Sequence, residues 1–270
     1  VAPLPPPHAP RMTRSHWRFV VTPPAAGAEN MARDEALIAR ARAPGDWTLR
    51  VYSWSAPTIS FGRNQTAHGR YDRRRIDEHG LAVVRRPTGG RAILHHREVT
   101  YSVTGPVSDA GELRESYFRI NALLLHALRA MGVDATAAAP AGRTPIPDLA
   151  PCFDRPSAGE LTVRGRKLAG SAQWRSDGAL LQHGSILVAD DQSLLTELAA
   201  VAQAPIPTPA TLVDALGRAP SVDDLATALI DAVREHEDPS ATELELEPNV
   251  RAQALALVVR YNDDAWTWRR

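Results

Sequence analysis

Hydrophobic and polar positions alternate, cluster and repeat along this chain in a pattern that predicts most of its elements. Residues 29–42, ENMARDEALIARAR, carry apolar positions at helical spacing, which predicts an amphipathic helix with Asn30 near its N-cap. DWTLRVYSW (46–54) is β-favouring and alternating and predicts a strand, followed by a turn-rich stretch over 55–65. LAVVRR (81–86), RAILH (91–95) and EVTYSVT (98–104) predict three more strands, with PTGG (87–90) as a turn. The strongest helical pattern is 109–133, where Leu113, Tyr117, Ile120, Leu124, Leu128 and Met131 share one face and Gly132 supplies a stop. A Pro- and Ala-rich loop (134–151) leads to three predicted strands over 159–165, 167–174 and 179–189. After a linker at 202–210, helices are predicted over 221–237 and 248–262; Ser221 is the N-cap of the first and Asp224 its reciprocal partner.

Strands on both sides of a central helix, with further helices after them, predict an α+β fold with a mixed, largely antiparallel sheet flanked by helices. The βαβ rhythm of a dinucleotide fold is absent, and Gly89-Gly90 lacks the spacing of either phosphate-loop fingerprint. Five prolines in the first ten residues predict an extended, disordered tail over 1–16, and no apolar stretch there reads as a signal peptide. One domain is expected over 17–270, with a helical C-terminal part from about 205.

Composition sharpens this outline in two places. The formal net charge is zero, so binding to nucleic acid by bulk electrostatics is not expected; no run of eighteen apolar residues marks a membrane span. RYDRRR (70–75) is a local basic patch, read either as a solvated helix face or as a surface for an acidic protein. The lone cysteine, Cys152, excludes an internal disulfide and fits a reducing cytoplasm. Among 31 basic residues, Lys167 is the one lysine. A surface charge in such a chain would be an arginine. A compact ammonium can lower a nearby thiol's pKa or hold a carbonyl oxygen as it gains charge.

Four clusters carry the candidate chemistry. RRPTGGRAILHH (85–96) joins Arg86, Thr88, Gly89, Gly90 and Arg91 to a strand ending at His95. Its bland reading is a tight hairpin with surface arginines. APCFDRPSAGEL (150–161) puts Cys152 in a loop between prolines, GRKLAGSAQWR (165–175) holds Lys167, Gly170 and Ser171, and LLQHGSILV (180–188) sets His183 beside a glycine in an apolar strand. A nucleophile and the cation that activates nucleophiles, each present once, suggest covalent thiol catalysis. The nine histidines show no metal-ligand spacing, and no metal is expected.

Together these clusters resemble the superfamily of lipoate–protein ligases and octanoyltransferases, to which the biotin ligases also belong. RRPTGGRAILH resembles its Arg-Arg-x-Ser/Thr-Gly-Gly signature, GRKLAGSAQWR its Lys-x-x-Gly-Ser-Ala-Gln signature and LLQHGSIL the following His-Gly strand; NMARDEAL (30–37) and PTISFGRNQ (57–65) match in order and spacing. ATP-dependent ligases usually show a third glycine where this chain has Arg91, whereas PCFDRPSAGEL resembles the Cys-Phe loop of the cysteine-dependent octanoyltransferases. The resemblance implies a catalytic domain of the biotin/lipoate ligase type. It implies transfer of octanoyl from acyl carrier protein, through an octanoyl-Cys152 enzyme, to a lysine of a lipoyl-accepting protein: a glycine-cleavage H protein or a dehydrogenase lipoyl domain. Lys167 would stabilise thiolate and oxyanion. Backbone N–H groups near Gly89–Gly90 and Gly170–Ser171 would complete the oxyanion site, and His95 and His183 would line it or assist proton transfer. No cofactor is expected, since phosphopantetheine arrives as part of the carrier. An ATP-dependent ligase, an amidotransferase between lipoyl domains and a non-catalytic acyl- or lipoyl-domain-binding protein are the alternatives.

Overall fold

The computed structural model describes residues 15–42, 46–139, 153, 156–201 and 206–269. Its main sheet has six strands in the spatial order β10-β11-β6-β2-β1-β12. They are β1 (His16–Val21), β2 (Asp46–Tyr52), β6 (Glu98–Pro106), β10 (Ala169–Ser176), β11 (Ala179–Leu187) and β12 (Thr242–Glu243). From β10 to β2 the pairing is antiparallel; β2 with β1 and β1 with β12 are parallel. A second sheet holds β3 (Thr58–Phe61) between β4 (Ala82–Arg85) and β5 (Ile93–His95). A third holds β7 (Ala135–Ala137), β8 (Leu161–Val163) and β9 (Arg166–Lys167). The helices are α1 (Gly27–Arg40), α2 (Arg73–Glu78), α3 (Ala110–Ala130), α4 (Leu194–Glu197), α5 (Leu212–Leu216), α6 (Val222–His236), α7 (Pro248–Tyr261) and α8 (Asp264–Thr267).

Strand β6 shows how the sequence builds the layers. Val99, Tyr101 and Val103 point to one face and join the largest apolar cluster, with Trp47, Leu49 and Val51 of β2 and the inner residues of α3 and α6. Glu98, Thr100, Ser102 and Thr104 point to the other face, yet they too are buried. A half-solvated antiparallel strand would leave those positions wet. Here α1 and the second sheet cover them, and the result is a buried polar layer. That layer is the floor of the candidate site.

Several boundaries differ from the sequence expectation. Asn30 does not cap α1; it lies within the helix, and its side chain donates to the carbonyls of Ala25 and Ser53. The 55–65 stretch contains β3. His16, assigned to the tail, already opens β1, and residues 1–14 lie outside the described residues. The C-terminal part is woven into the fold: β12 extends the main sheet, α7 packs on α1 through Leu257 and Val250, and the chain end meets Arg85. The capping box of Ser221 and Asp224 is present, as is the Asp109 cap of α3.

Candidate active site

Arg85, which ends β4, and Arg86, which follows it, point opposite ways, as alternation along an extended chain requires. Arg85 reaches the chain end, donating to the carbonyls of Trp266, Thr267 and Arg269, and also to those of Gly62 and Gln65. Arg86 turns to the glycine loop. Its guanidinium donates to the carbonyls of Ser60, Gly89 and Arg91 and to the Ser60 hydroxyl, at 2.7–3.1 Å. Three of these bonds hold the loop 88–91 and two tie it to Ser60 of β3. The surface-arginine reading of this stretch fails for both, since both are buried. Gly90 has φ +94°, and a side chain on Gly62 would overlap its carbonyl, so the loop closes only on glycines. Among the described residues nothing accepts from the N–H of Gly89 or Gly90 in a backbone hydrogen bond.

Thr88 fixes this loop to the main sheet. Its hydroxyl lies 2.6 Å from Nε2 of His183 on β11, and Nδ1 of His183 lies 3.2 Å from Asp34 on α1. Asp34 is fully buried and takes four donors: Arg50, Ser102, Tyr52 and His183. Burial alone would raise the Asp34 pKa, but the adjoining Arg50, His183 and Ser102 hold it below the ordinary value. An ionised Asp34 only accepts, so Nδ1 of His183 carries the proton, and Nε2 accepts from the Thr88 hydroxyl. Burial lowers the His183 pKa against the pull of Asp34, and Arg86 lowers it further.

His95 repeats this arrangement. Nε2 lies 2.8 Å from the Ser60 hydroxyl, Nδ1 3.2 Å from Ser185 and 3.5 Å from Glu98, and the ring stacks on Trp54 at 3.9 Å. Burial lowers its pKa, with Glu98 opposing. Both nitrogens of each histidine are therefore engaged. The two rings hold the loop and the floor; proton transfer through either would first break one of these bonds.

Lys167 is buried and its ammonium lies 2.8 Å from Glu160. A two-residue turn joins β8 to β9; Arg164 (φ 50°) and Gly165 (φ 74°) both adopt the left-handed region that a tight hairpin of this kind uses. The hairpin pairs Lys167 with Thr162 and brings it back beside Glu160. The Lys167 ammonium is also 5.2 Å from the ring centre of Phe153, and Phe153 packs on Ile93 of β5 and Leu187 of β11. Cys152 itself lies outside the described residues. Gly170 pairs with Ser185 in the sheet; Ser171 pairs with Gly184, and its hydroxyl turns to the other face, 2.7 Å from that of Tyr101. Tyr101 reaches Ser171 because Gly184 has no side chain to block it. Burial pushes the Tyr101 pKa up to about 12, against its bonds with Gln182 and Ser171, and the Glu160 carboxylate adds to the rise.

The fold thus brings the glycine loop, His95, His183 and Gly170 together on one side of β10 and β11, with Phe153 and Lys167 at the end of the same strands. Arg91 closes the loop by accepting from Arg86 through its carbonyl. Asp34, Glu160 and Tyr101 were missed in the sequence. The signal for Asp34 was legible: an acid on the apolar stripe of α1, between Met31 and Leu37, needs a buried partner. Among the described residues there is no cluster of three or more His, Cys, Asp or Glu placed to hold a metal, and no helix is long and apolar enough to cross a membrane.

Comparison with known proteins matches residues 26–234 to the lipoyl protein ligase A/B catalytic domain. The chain is 40% identical to an octanoyltransferase LipM of Kyrpidia tusciae, covering 94% of this chain and 99% of that protein. It is 38% identical to a LipM of Exiguobacterium sp., covering 96% and 100%. Among solved structures, lipoate-protein ligase A bound with ATP superposes with a TM-score of 0.75 at 22% identity, over 95% of this chain and 99% of that one. An archaeal bipartite lipoate protein ligase from Thermoplasma acidophilum, studied with its E2 lipoyl domain, gives 0.73 at 22%, over 94% and 96%. The ligase structures share the fold, the octanoyltransferases share the sequence nearly end to end, and the chain belongs to the lipoyl protein ligase A/B catalytic-domain family.

Proposed function

We propose that this chain is an octanoyltransferase of protein lipoylation that works through Cys152, with octanoyl-acyl carrier protein as donor and a lipoyl-accepting protein as acceptor. The observation that carries the reading is the buried Lys167 beside Phe153, the residue that follows Cys152 in the chain. Cys152 is thus the sequence neighbour of a residue whose ring centre lies 5.2 Å from that ammonium. The octanoyltransferases named above, at about 40% identity, support the same reaction.

The reaction balances without an activating nucleotide. Lys167 favours the Cys152 thiolate, which attacks the carbonyl carbon of the octanoyl thioester. The new carbon–sulfur bond forms, the old one breaks, and the carrier's thiolate leaves and takes up the proton that Cys152 gave up. A neutral lysine amine of the acceptor then attacks octanoyl-Cys152. The amide forms, the Cys152 thiolate departs, and the amine's proton passes to solvent. In both tetrahedral intermediates Lys167 faces the oxyanion, with the N–H groups of Gly89 and Gly90 as further donors.

Mass spectrometry after incubation with octanoyl-acyl carrier protein tests this directly. An octanoyl adduct on the wild type, absent in Cys152→Ser, is expected. Transfer that requires ATP and survives Cys152→Ala would replace the reading with an ATP-dependent ligase.

A further inference from the structure

At the far end of the candidate site, away from Lys167, an arginine lies against two indoles. The guanidinium of Arg63 is 4.8 Å from the ring centre of Trp174 and 5.9 Å from that of Trp266. Arg269 stands over the same Trp266 ring at 3.7 Å and donates to the Arg63 carbonyl at 3.0 Å. No carboxylate of a described residue lies within ion-pair distance of Arg63. Its backbone N–H donates to the Thr88 carbonyl at 2.8 Å, so the group is fixed to the glycine loop. Trp174 shares a face of β10 with Gly170 and Ala172, and Gly90 of the loop comes against Ala172. One track therefore runs along β10 from Gly170, beneath the loop, to the Trp174–Arg63 pair.

We infer that Arg63, backed by Trp174 and Trp266, binds the phosphodiester of the donor's phosphopantetheine arm. The inference rests on the proposed octanoyl transfer and names where the donor is gripped. Reach decides the assignment. Four residues of β10 separate Gly170 from Trp174, about 13 Å at strand rise, and Lys167, on β9, lies farther back along the chain. At about 3.5 Å per three backbone-like bonds, the roughly thirteen bonds from thioester sulfur to phosphorus span about 15 Å. A phosphate at Arg63 thus leaves the thioester between Gly170 and the reach of the Lys167 side chain. A planar guanidinium is the side chain suited to bidentate phosphate recognition.

The test compares two donors, octanoyl-phosphopantetheine and octanoyl-pantetheine, by the rate of Cys152 acylation at limiting donor. The wild type is expected to favour the phosphorylated donor about tenfold to a hundredfold, the range of one charge-assisted contact. Arg63→Gln is expected to bring that ratio to near one, and Arg63→Lys to restore part of it. Equal rates for the two donors in the wild type would overturn the phosphate site, as would an unchanged ratio in Arg63→Gln. If Arg63→Gln loses its fold, read by circular dichroism, the wild-type ratio and Arg63→Lys decide. ATP that competes with the phosphorylated donor as strongly as free phosphopantetheine does would assign the arginine to a nucleotide instead. If neither donor acylates the wild type, the octanoyl-transfer reading itself fails, which is a distinct result.

Discussion

Two buried ion pairs border this site, Arg50 of β2 with Asp34 of α1 and Lys167 of β9 with Glu160, and they are built differently. Arg50 and Asp34 lock each other in place. Arg50 donates from Nε to Thr22, from Nη1 to the Asn30 carbonyl and Asp34, and from Nη2 to the Asn30 side chain. Asp34 takes three donors besides. The planar fork suits a pair with one fixed geometry. Lys167 meets Glu160 through a single ammonium, on a stem that can rotate, beside Phe153. An ammonium can shift between a carboxylate and a substrate oxygen without moving a plane of atoms. Under the proposed mechanism, the one lysine of a chain that uses arginine almost everywhere is the cation that changes partner.

Removing one member from the locked pair should have the largest effect. Asp34→Ala leaves Arg50 buried without its carboxylate and His183 without the acceptor that sets its tautomer. A loss of about 3–5 kcal/mol is expected by urea denaturation, as for other broken buried pairs. A loss below about 1 kcal/mol would mean that the pair is not locked, and the contrast with Lys167 would collapse.

Lys167→Arg tests the other side. Charge is kept, but at a buried position the compact ammonium is replaced by a larger planar head. Transfer is expected to fall about a hundredfold, the scale of one oxyanion donor, with a smaller stability loss than Asp34→Ala. Near-wild-type transfer would make Lys167 a structural charge like Arg50.

The difference between the pairs also separates what was legible in the sequence from what was not. Lys167 stood out by composition, and Thr88, Gly89, Gly90, His95 and His183 by motif. The fold brings all of them together. The ion-pair partners did not stand out. Glu160 lies seven positions before Lys167, and only the tight turn at Arg164–Gly165 reveals that the two are neighbours. Asp34 needs the α1 stripe to be seen against β2 and β11, which are distant in sequence. Strands β1 and β3 were hidden for the same reason: β1 is completed by β2 and β12, and the four residues of β3 are flanked by Pro57 and Gly62. The helices were legible because their 3.6-residue period and caps are local. Ser171 shows the limit of motif reading, since its hydroxyl turns from the glycine-loop face and meets Tyr101.

The smallest effect expected is on the pH dependence of stability, and it sharpens the contrast further. His183 and His95 have folded pKa values below the ordinary histidine value, chiefly through burial. Between that ordinary value, about 6.5, and the lower folded value, the unfolded chain binds a proton that the folded chain does not. Stability therefore rises with pH across this window and falls as pH drops below about 6.5, by up to about 1.4 kcal/mol per pH unit for each ring. Asp34 has its pKa depressed instead, so its contribution is intact above the unfolded carboxylate value near 3.9 and is lost only at lower pH. The two groups of one network thus act in separate windows. His183→Gln keeps a side-chain amide that can donate to Asp34 and accept from Thr88, but it cannot titrate. Urea denaturation at pH 7, 6 and 5 should show a shallower decline for His183→Gln than for the wild type. Parallel profiles would mean that folding leaves the His183 pKa unshifted; a steeper decline for His183→Gln than for the wild type would mean that His183 is already protonated beside Asp34, so that Thr88 could no longer donate to it.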